Sequence, residues 1–435
     1  MSWQSIRRFI VAAIVSCGSQ LVYTDVQAGD LPAAKPEDAG LSAERLVRLD
    51  AAMQAEVDAR RKAGMVVLIT RHGKVAHLKA YGMADIESGQ PMRPDSLFRL
   101  YSMTKPITSV ALLTLYEQGK FRLTDLVEQY LPAFKEVQVY TGETAYGGMV
   151  TELPKRKPTI EDVFRHTAGF SYGRGETPVD LLYKENGIDY DQSTSIKDLV
   201  ADKLPKMPLL YHPGERWVYS VSHDVQAYLV EYFSGMPYAE YLQKTILDPL
   251  GMADTCFGVP AKIVDRYTAN YGPGDNGGLK QLEGRDGKRP AGATGSYARF
   301  TSIPFGGSGL SGSAMDYARF AQMLVNGGEL NGVRILKRET VALMTTNHLP
   351  AGIGYLGPPS VPGNGYGLGV SVLQNVATSG TPGSVGQFGW AGAASTYVVM
   401  DPKRDLVAIL LTQYMPSDSR LRDLWQTLVY QAIVN

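Results

Sequence analysis

The sequence predicts an α+β fold: one antiparallel sheet built from strands near both ends of the chain, flanked by helices, with a mostly helical subdomain inserted between them. Two hairpins and the character of the middle carry this expectation. Residues 65–70 and 75–81 are apolar runs flanking a short turn at His72-Gly73, and residues 395–400 and 406–411 flank the turn-prone Asp401-Pro402-Lys403-Arg404-Asp405. Neither hairpin is stable alone, so the two must share a sheet and be covered by helices. The segment between them has helical periodicity at 160–166, 226–234, 238–247 and 315–326.

Taken in order, the chain begins with Arg7 and Arg8, the apolar run 9–15 and a polar stretch ending Val26-Gln27-Ala28. This is the pattern of a secretory signal peptide over residues 1–28, which predicts export to the periplasm or medium. The run is too short for a stable membrane span. A second reading stays open, in which Ile14-Val15-Ser16-Cys17 is a lipobox and Cys17 becomes a lipidated N-terminus. Removal of residues 1–28 would leave Cys256 as the one cysteine, so stability must come from packing rather than an internal disulfide.

Residues 29–435 are then expected to form a single domain with the helical insertion at roughly 136–290. Leu46, Leu49, Met53 and Val57 recur at helical spacing within 41–62, and Gly64 ends that amphipathic helix. A last helix is expected over 420–433. Gly/Pro/Asn-rich loops are expected at 270–295 and 350–365, and loops of that length usually line or cover a site.

Composition narrows the function classes. Forty-three basic and forty-three acidic residues cancel, so no charge excess argues for nucleic acid or an anionic membrane, and a small-molecule substrate is expected. The six histidines (His72, His77, His166, His212, His223, His348) show no metal-ligand spacing, and no Gly-rich phosphate loop occurs. No metal and no cofactor is expected. Oligomeric state is not encoded in any pattern visible here.

The chemistry concentrates at Leu100-Tyr101-Ser102-Met103-Thr104-Lys105-Pro106. Pro106 suits a first helical turn, residues 110–115 make the helix body apolar, and Gly119 reads as its stop. On such a helix Ser102 and Lys105 share one face, one turn apart. A serine hydroxyl is a weak nucleophile until a base takes its proton, and a lysine in a dehydrated site near a helix N-terminus has the lowered pKa a base requires. The plain alternative for this tetrapeptide is a serine cap with a solvated lysine. Gly169-Phe170-Ser171-Tyr172-Gly173 also fits the Gly-x-Ser-x-Gly nucleophile elbow, but the preceding residues read as helix where that motif needs a strand.

In three places, and in the expected order, the sequence resembles the serine β-lactamase and penicillin-binding-protein superfamily, specifically class C enzymes and family VIII carboxylesterases. These are Ser102 to Lys105, the segment Pro213-Gly214-Glu215-Arg216-Trp217-Val218-Tyr219-Ser220-Val221, and Trp390-Ala391-Gly392. Weaker echoes lie at Arg165-His166-Thr167-Ala168-Gly169, Pro249-Leu250-Gly251-Met252, Gly309-Leu310-Ser311 and Gly365-Tyr366-Gly367-Leu368-Gly369.

The resemblance implies the β-lactamase/transpeptidase fold, with Ser102 as nucleophile and Lys105 and Tyr219 sharing the general-base role. It also implies an oxyanion hole from the backbone N–H groups of Ser102 and Ala393, with Gly392 allowing close approach and Trp390 walling the substrate site. The role of Tyr219 asks for a phenol tuned well below about 10, which a neighbouring ammonium would achieve. Two departures matter. Val221 stands where the β-lactamases carry an asparagine, and Trp390 stands where they carry a lysine. Both remove polar recognition of a penicillin or D-alanyl peptide and favour an uncharged ester. The expected function is a serine hydrolase cleaving short-chain carboxylic esters through an acyl-enzyme on Ser102. The alternatives are a β-lactamase or D-stereospecific peptidase of the same fold, or a non-catalytic penicillin-binding-like receptor.

Overall fold

A computed structural model describes residues 31–188, 195–258, 261–274, 277–285, 303–353 and 362–434. The signal-peptide segment and Cys17 lie outside the described residues. Its centre is an eight-stranded antiparallel sheet. From one edge to the other the strands are Asn364–Tyr366, Ser371–Leu373, Phe388–Gly392, Thr396–Asp401, Leu406–Thr412, Gly64–Arg71, Lys74–Asp85 and Gln90–Pro91. The two ends of the chain meet in the middle of it. Gly64–Arg71 pairs antiparallel with Leu406–Thr412, with Val67 opposite Leu410 and Leu68 opposite Ile409.

Both central strands are buried throughout and mostly apolar because both faces are covered, and alternation along them sorts the side chains between two cores. Val66, Leu68, Val407, Ile409 and Leu411 face the larger core, which contains the serine helix and most of the middle of the chain. Met65, Val67, Ile69, Leu406, Ala408 and Leu410 face the smaller one. There they meet Leu46, Leu49 and Met53 of the helix Ala43–Asp58 and Leu421, Trp425 and Val429 of the helix Ser419–Ala432. Side-chain caps fix where both helices start: Ser42 accepts from the Arg45 N–H and Asp418 from the Leu421 N–H. The terminal segments are also tied directly, Ser42 N–H to Ala432 O at 2.8 Å and Val434 N–H to Gly40 O at 3.1 Å.

The fold is α+β with the shared sheet the sequence predicts, and several boundaries move. Residues 270–273 and 279–283 pair as a two-stranded ribbon rather than a loop, because Tyr271 and Ala269 are buried and Glu283 receives a buried arginine. Of the two expected loops, residues 275–276, 286–295 and 354–361 lie outside the described residues, and the second ends in the strand Asn364–Tyr366. The helix expected from 226 begins at Ser222, and the one expected over 238–247 continues as a wider turn from Gln243 to Leu247. Among the described residues no helix is long and apolar enough to cross a membrane.

Candidate active site

Ser102 sits on a single turn of 3-10 helix, Tyr101–Met103, that runs directly into the α-helix Thr104–Glu117. Tyr101 has φ 45°, an uncommon conformation for a residue with a side chain, so the turn depends on its surroundings to hold it. Arg99 supplies part of that hold. Its guanidinium is fully buried, donates to Glu283 Oε1 at 2.7 and 3.0 Å and to Thr268 O at 2.7 Å, and lies over the Tyr267 ring. The opposite side is closed by the strand Phe388–Gly392. A Cβ at Gly392 would fall 2.4 Å from the Leu100 carbonyl oxygen, so only glycine lets this strand lie against the serine turn.

Lys105 projects back along the helix, and its Nζ lies 3.1 Å from Ser102 Oγ. The same nitrogen donates to the Gly307 carbonyl at 2.6 Å, and the Gly307 N–H in turn donates to Asp224 Oδ1 at 3.0 Å. Lys105 is 1% exposed, and burial pushes its ammonium down to about 7, against an opposing pull from Asp224 and with a smaller push from Arg174. Near neutral pH a large share of this amine is therefore unprotonated.

Tyr219 arrives from the extended stretch before the helix Ser222–Ser234. Its neighbour Val218 donates to the His166 carbonyl at 3.0 Å and Val221 donates to the Ser171 carbonyl at 3.3 Å, so the 166–171 segment fixes its height over the serine. The phenol donates to Ser102 Oγ at 2.6 Å, and Lys105 Nζ lies 4.5 Å from the centre of its ring. Its acidity contradicts the sequence expectation. Burial raises the phenol to about 12, outweighing its hydrogen bonds with Ser102 and the Trp390 indole and the field of Arg174. The phenol's own burial is the reason, and the nearby Asp224 pushes in the same direction. Tyr219 therefore rests as a proton donor.

Two segments distant in the sequence thus converge on one hydroxyl, and Ser102, Lys105 and Tyr219 are brought together. Trp390 stands beside them, its ring centre 5.8 Å from that of Tyr219, in a cluster with Trp217 and Tyr366. Ala391 turns to the other face of the sheet, and Ala393 follows the strand end, packed near Tyr101 and Met415. Ser171 is not part of this centre. It lies in a loop, where its hydroxyl donates to Asp180 Oδ1 and accepts from the Gly173 N–H. Among the described residues no group of His, Cys, Asp or Glu is placed to hold a metal ion.

Sequence reasoning missed Gly307, Asp224 and the paired imidazoles of His166 and His223. The two rings are 4.9 Å apart and fully buried behind Tyr219 and Lys105, and burial holds both well below the usual histidine range. His166 Nδ1 meets Ser220 Oγ at 3.1 Å. The only hint in the sequence was a polar run, Ser220-Val221-Ser222-His223-Asp224, at the start of an otherwise apolar helix.

The family model for Beta-lactamase matches residues 49–432. The chain belongs to the beta-lactamase family. Within this family it is 32% identical over 381 residues to the esterase EstB of Burkholderia gladioli, covering 84% of this chain and 89% of EstB. It is 26% identical over 426 residues to a putative D-alanyl-D-alanine carboxypeptidase of Salmonella typhi, covering 93% and 90% of the two chains. Among solved structures it superposes on EstCE1, described as a hydrolase with promiscuous acyltransferase activity. That match has a TM-score of 0.74 and 27% identity, and covers 89% of this chain and 98% of EstCE1. A beta-lactamase-family chain with these esterase relatives is a hydrolase of the serine type.

Proposed function

We propose that this beta-lactamase-family protein cleaves short-chain carboxylic esters through an acyl-enzyme on Ser102. The observation that carries the reading is the position of Ser102 Oγ between Lys105 Nζ at 3.1 Å and Tyr219 OH at 2.6 Å. In this reading unprotonated Lys105 takes the serine proton as Oγ attacks the ester carbonyl. The backbone N–H groups of Ser102 and Ala393 receive the oxyanion, and Gly392 lets them approach it. Tyr219, a neutral phenol at rest, passes its proton to the departing alkoxide and is reprotonated through Lys105. Water then repeats the sequence on the acyl-enzyme and frees the acid. Trp390 and Trp217 give the substrate an apolar wall.

The esterase names of EstB and EstCE1 favour an ester over a peptide or β-lactam, as do Val221 and Trp390 in place of the family's asparagine and lysine. The name of the Salmonella relative keeps a D-stereospecific peptidase as the second reading. Assays with p-nitrophenyl acetate and butyrate beside nitrocefin decide between them. Turnover of both esters is expected, with slow or no opening of nitrocefin, and Ser102→Ala should lose at least about 10³-fold in kcat. Nitrocefin as the preferred substrate would favour the β-lactamase or peptidase reading, and no burst or turnover with any of the three would favour a receptor.

A further inference from the structure

Beside the three reacting side chains lies an open cleft of about 670 Å³, and Tyr219 is the one of the three that lines it. One wall is aromatic, formed by Tyr172, Trp217 and Tyr219, and its charged rim carries Arg174 and Arg216, both exposed. The cleft's two acids are already engaged. Asp180 accepts from the hydroxyls of Ser171 and Thr177, the latter at 2.6 Å, and Glu215 accepts from Lys155 Nζ at 2.7 Å.

Among the described residues neither Arg174 nor Arg216 is in a close ion pair; Arg216 acts on Glu215 only through its field, and that carboxylate is bonded to Lys155. Arg174 is held by stacking instead. Its guanidinium carbon is 4.8 Å from the centre of the Tyr172 ring, and Tyr172 lies edge-on to Tyr219 at 5.3 Å between ring centres. A guanidinium resting over a ring and outside any ion pair presents N–H donors to a planar anion, and bidentate pairing is what distinguishes arginine at such sites.

We propose that Arg174 and Arg216 make this cleft a binding site for a carboxylate on the alcohol portion of the substrate, so that the preferred esters are acyl esters of hydroxycarboxylic acids. The proposal rests on the ester-hydrolase reading and changes it: the sequence favours an uncharged substrate, whereas the rim of the cleft carries two cations outside any close ion pair, its two acids being bonded elsewhere. The side is set by Tyr219. It is the proton donor to the leaving alcohol in that reading, so the space it lines receives the alcohol rather than the acyl group. Arg174 and Arg216 are binding residues here and take no part in bond making.

The test compares 4-acetoxybenzoate with its methyl ester, which differ only in the charge on the leaving phenol, and mono-p-nitrophenyl glutarate with p-nitrophenyl butyrate for charge on the acyl side. Wild type is expected to prefer 4-acetoxybenzoate over the methyl ester by about tenfold or more in kcat/KM, mainly through KM, with the preference shrinking as salt rises. No such preference is expected in the acyl-side pair. Arg174→Gln and Arg216→Gln should each cut the leaving-side ratio, and together bring it to about unity.

Binding without turnover gives a second readout. Calorimetric titration of 4-hydroxybenzoate into Ser102→Ala should show binding that weakens about tenfold when both arginines are replaced. Esters turned over with no leaving-side preference, a preference confined to the acyl-side pair, or a ratio that survives in the double variant overturns the proposal while leaving the esterase reading intact. No turnover of any ester alongside arginine-dependent binding of 4-hydroxybenzoate overturns the esterase reading and leaves the anion site standing.

Discussion

Lys105 costs the folded protein stability in a way that depends on pH. Its amine titrates near 7 in the fold against an ordinary 10.5, so between those values the unfolded chain holds the extra proton. Stability contributed by this site is therefore complete above about 10.5 and is lost as pH falls to about 7, with a slope of up to about 1.4 kcal/mol per pH unit. Urea melts of wild type and Lys105→Met at pH 7, 8 and 9 should diverge accordingly, wild type gaining on the variant as pH rises. A constant gap would mean the lysine is solvated and charged in the fold. The acid limb of kcat/KM should fall near the same value, since the protonated amine cannot accept from Ser102. The pair Ser102 and Lys105 was legible because three residues of helix set its geometry. Asp224 and Gly307 were not, because each reaches the lysine from another part of the chain with no local signature. The acidity of Tyr219 was misjudged because it turns on how deeply the phenol is buried, which only the fold decides.

Elements with strong periodicity or long apolar runs were readable, and short ones were not. Both hairpins and the helices at either end lie close to where their patterns put them. The strands Asn364–Tyr366 and Ser371–Leu373 have three residues each, too few to show alternation, and they form by adding to an edge that already exists. The helix Ser222–Ser234 begins before its apolar pattern does, since Ser222, His223 and Asp224 are buried polar residues facing the site rather than a solvated cap. Spacing between elements matters as much as their presence. Gly392→Val would drive side-chain atoms into the Leu100 carbonyl and Thr396 Oγ1, pushing the strand Phe388–Gly392 away from the serine turn. Displacement of about 1 Å is enough to lower kcat/KM by about 10²-fold. Steady-state kinetics beside circular dichroism should show that loss in a protein with native secondary structure, and unchanged kinetics would mean that the strand does not set the site's geometry.

For the whole molecule, the shared sheet could be anticipated because two hairpins cannot stand alone. That five of its eight strands come from the C-terminal part could not, since pairing order is not written in either partner. The smaller core depends on both ends at once: Trp425 of the last helix is wholly buried against strands from each. Trp425→Ala should cost about 3–5 kcal/mol, measured by thermal or urea unfolding, although the residue is remote from Ser102. A loss below about 1 kcal/mol would place this helix outside the cooperative unit.

Because one edge of Gly64–Arg71 pairs with the nearby Lys74–Asp85 but the other pairs only with Leu406–Thr412, the order of synthesis leaves that second edge waiting. More than three hundred residues must emerge from the ribosome before the strand that covers it exists. Until then Met65-Val66-Val67-Leu68-Ile69 presents an apolar edge of the kind that recruits other chains. Holding that edge apart from other nascent copies is a task for chaperones, and one that the completed enzyme no longer poses.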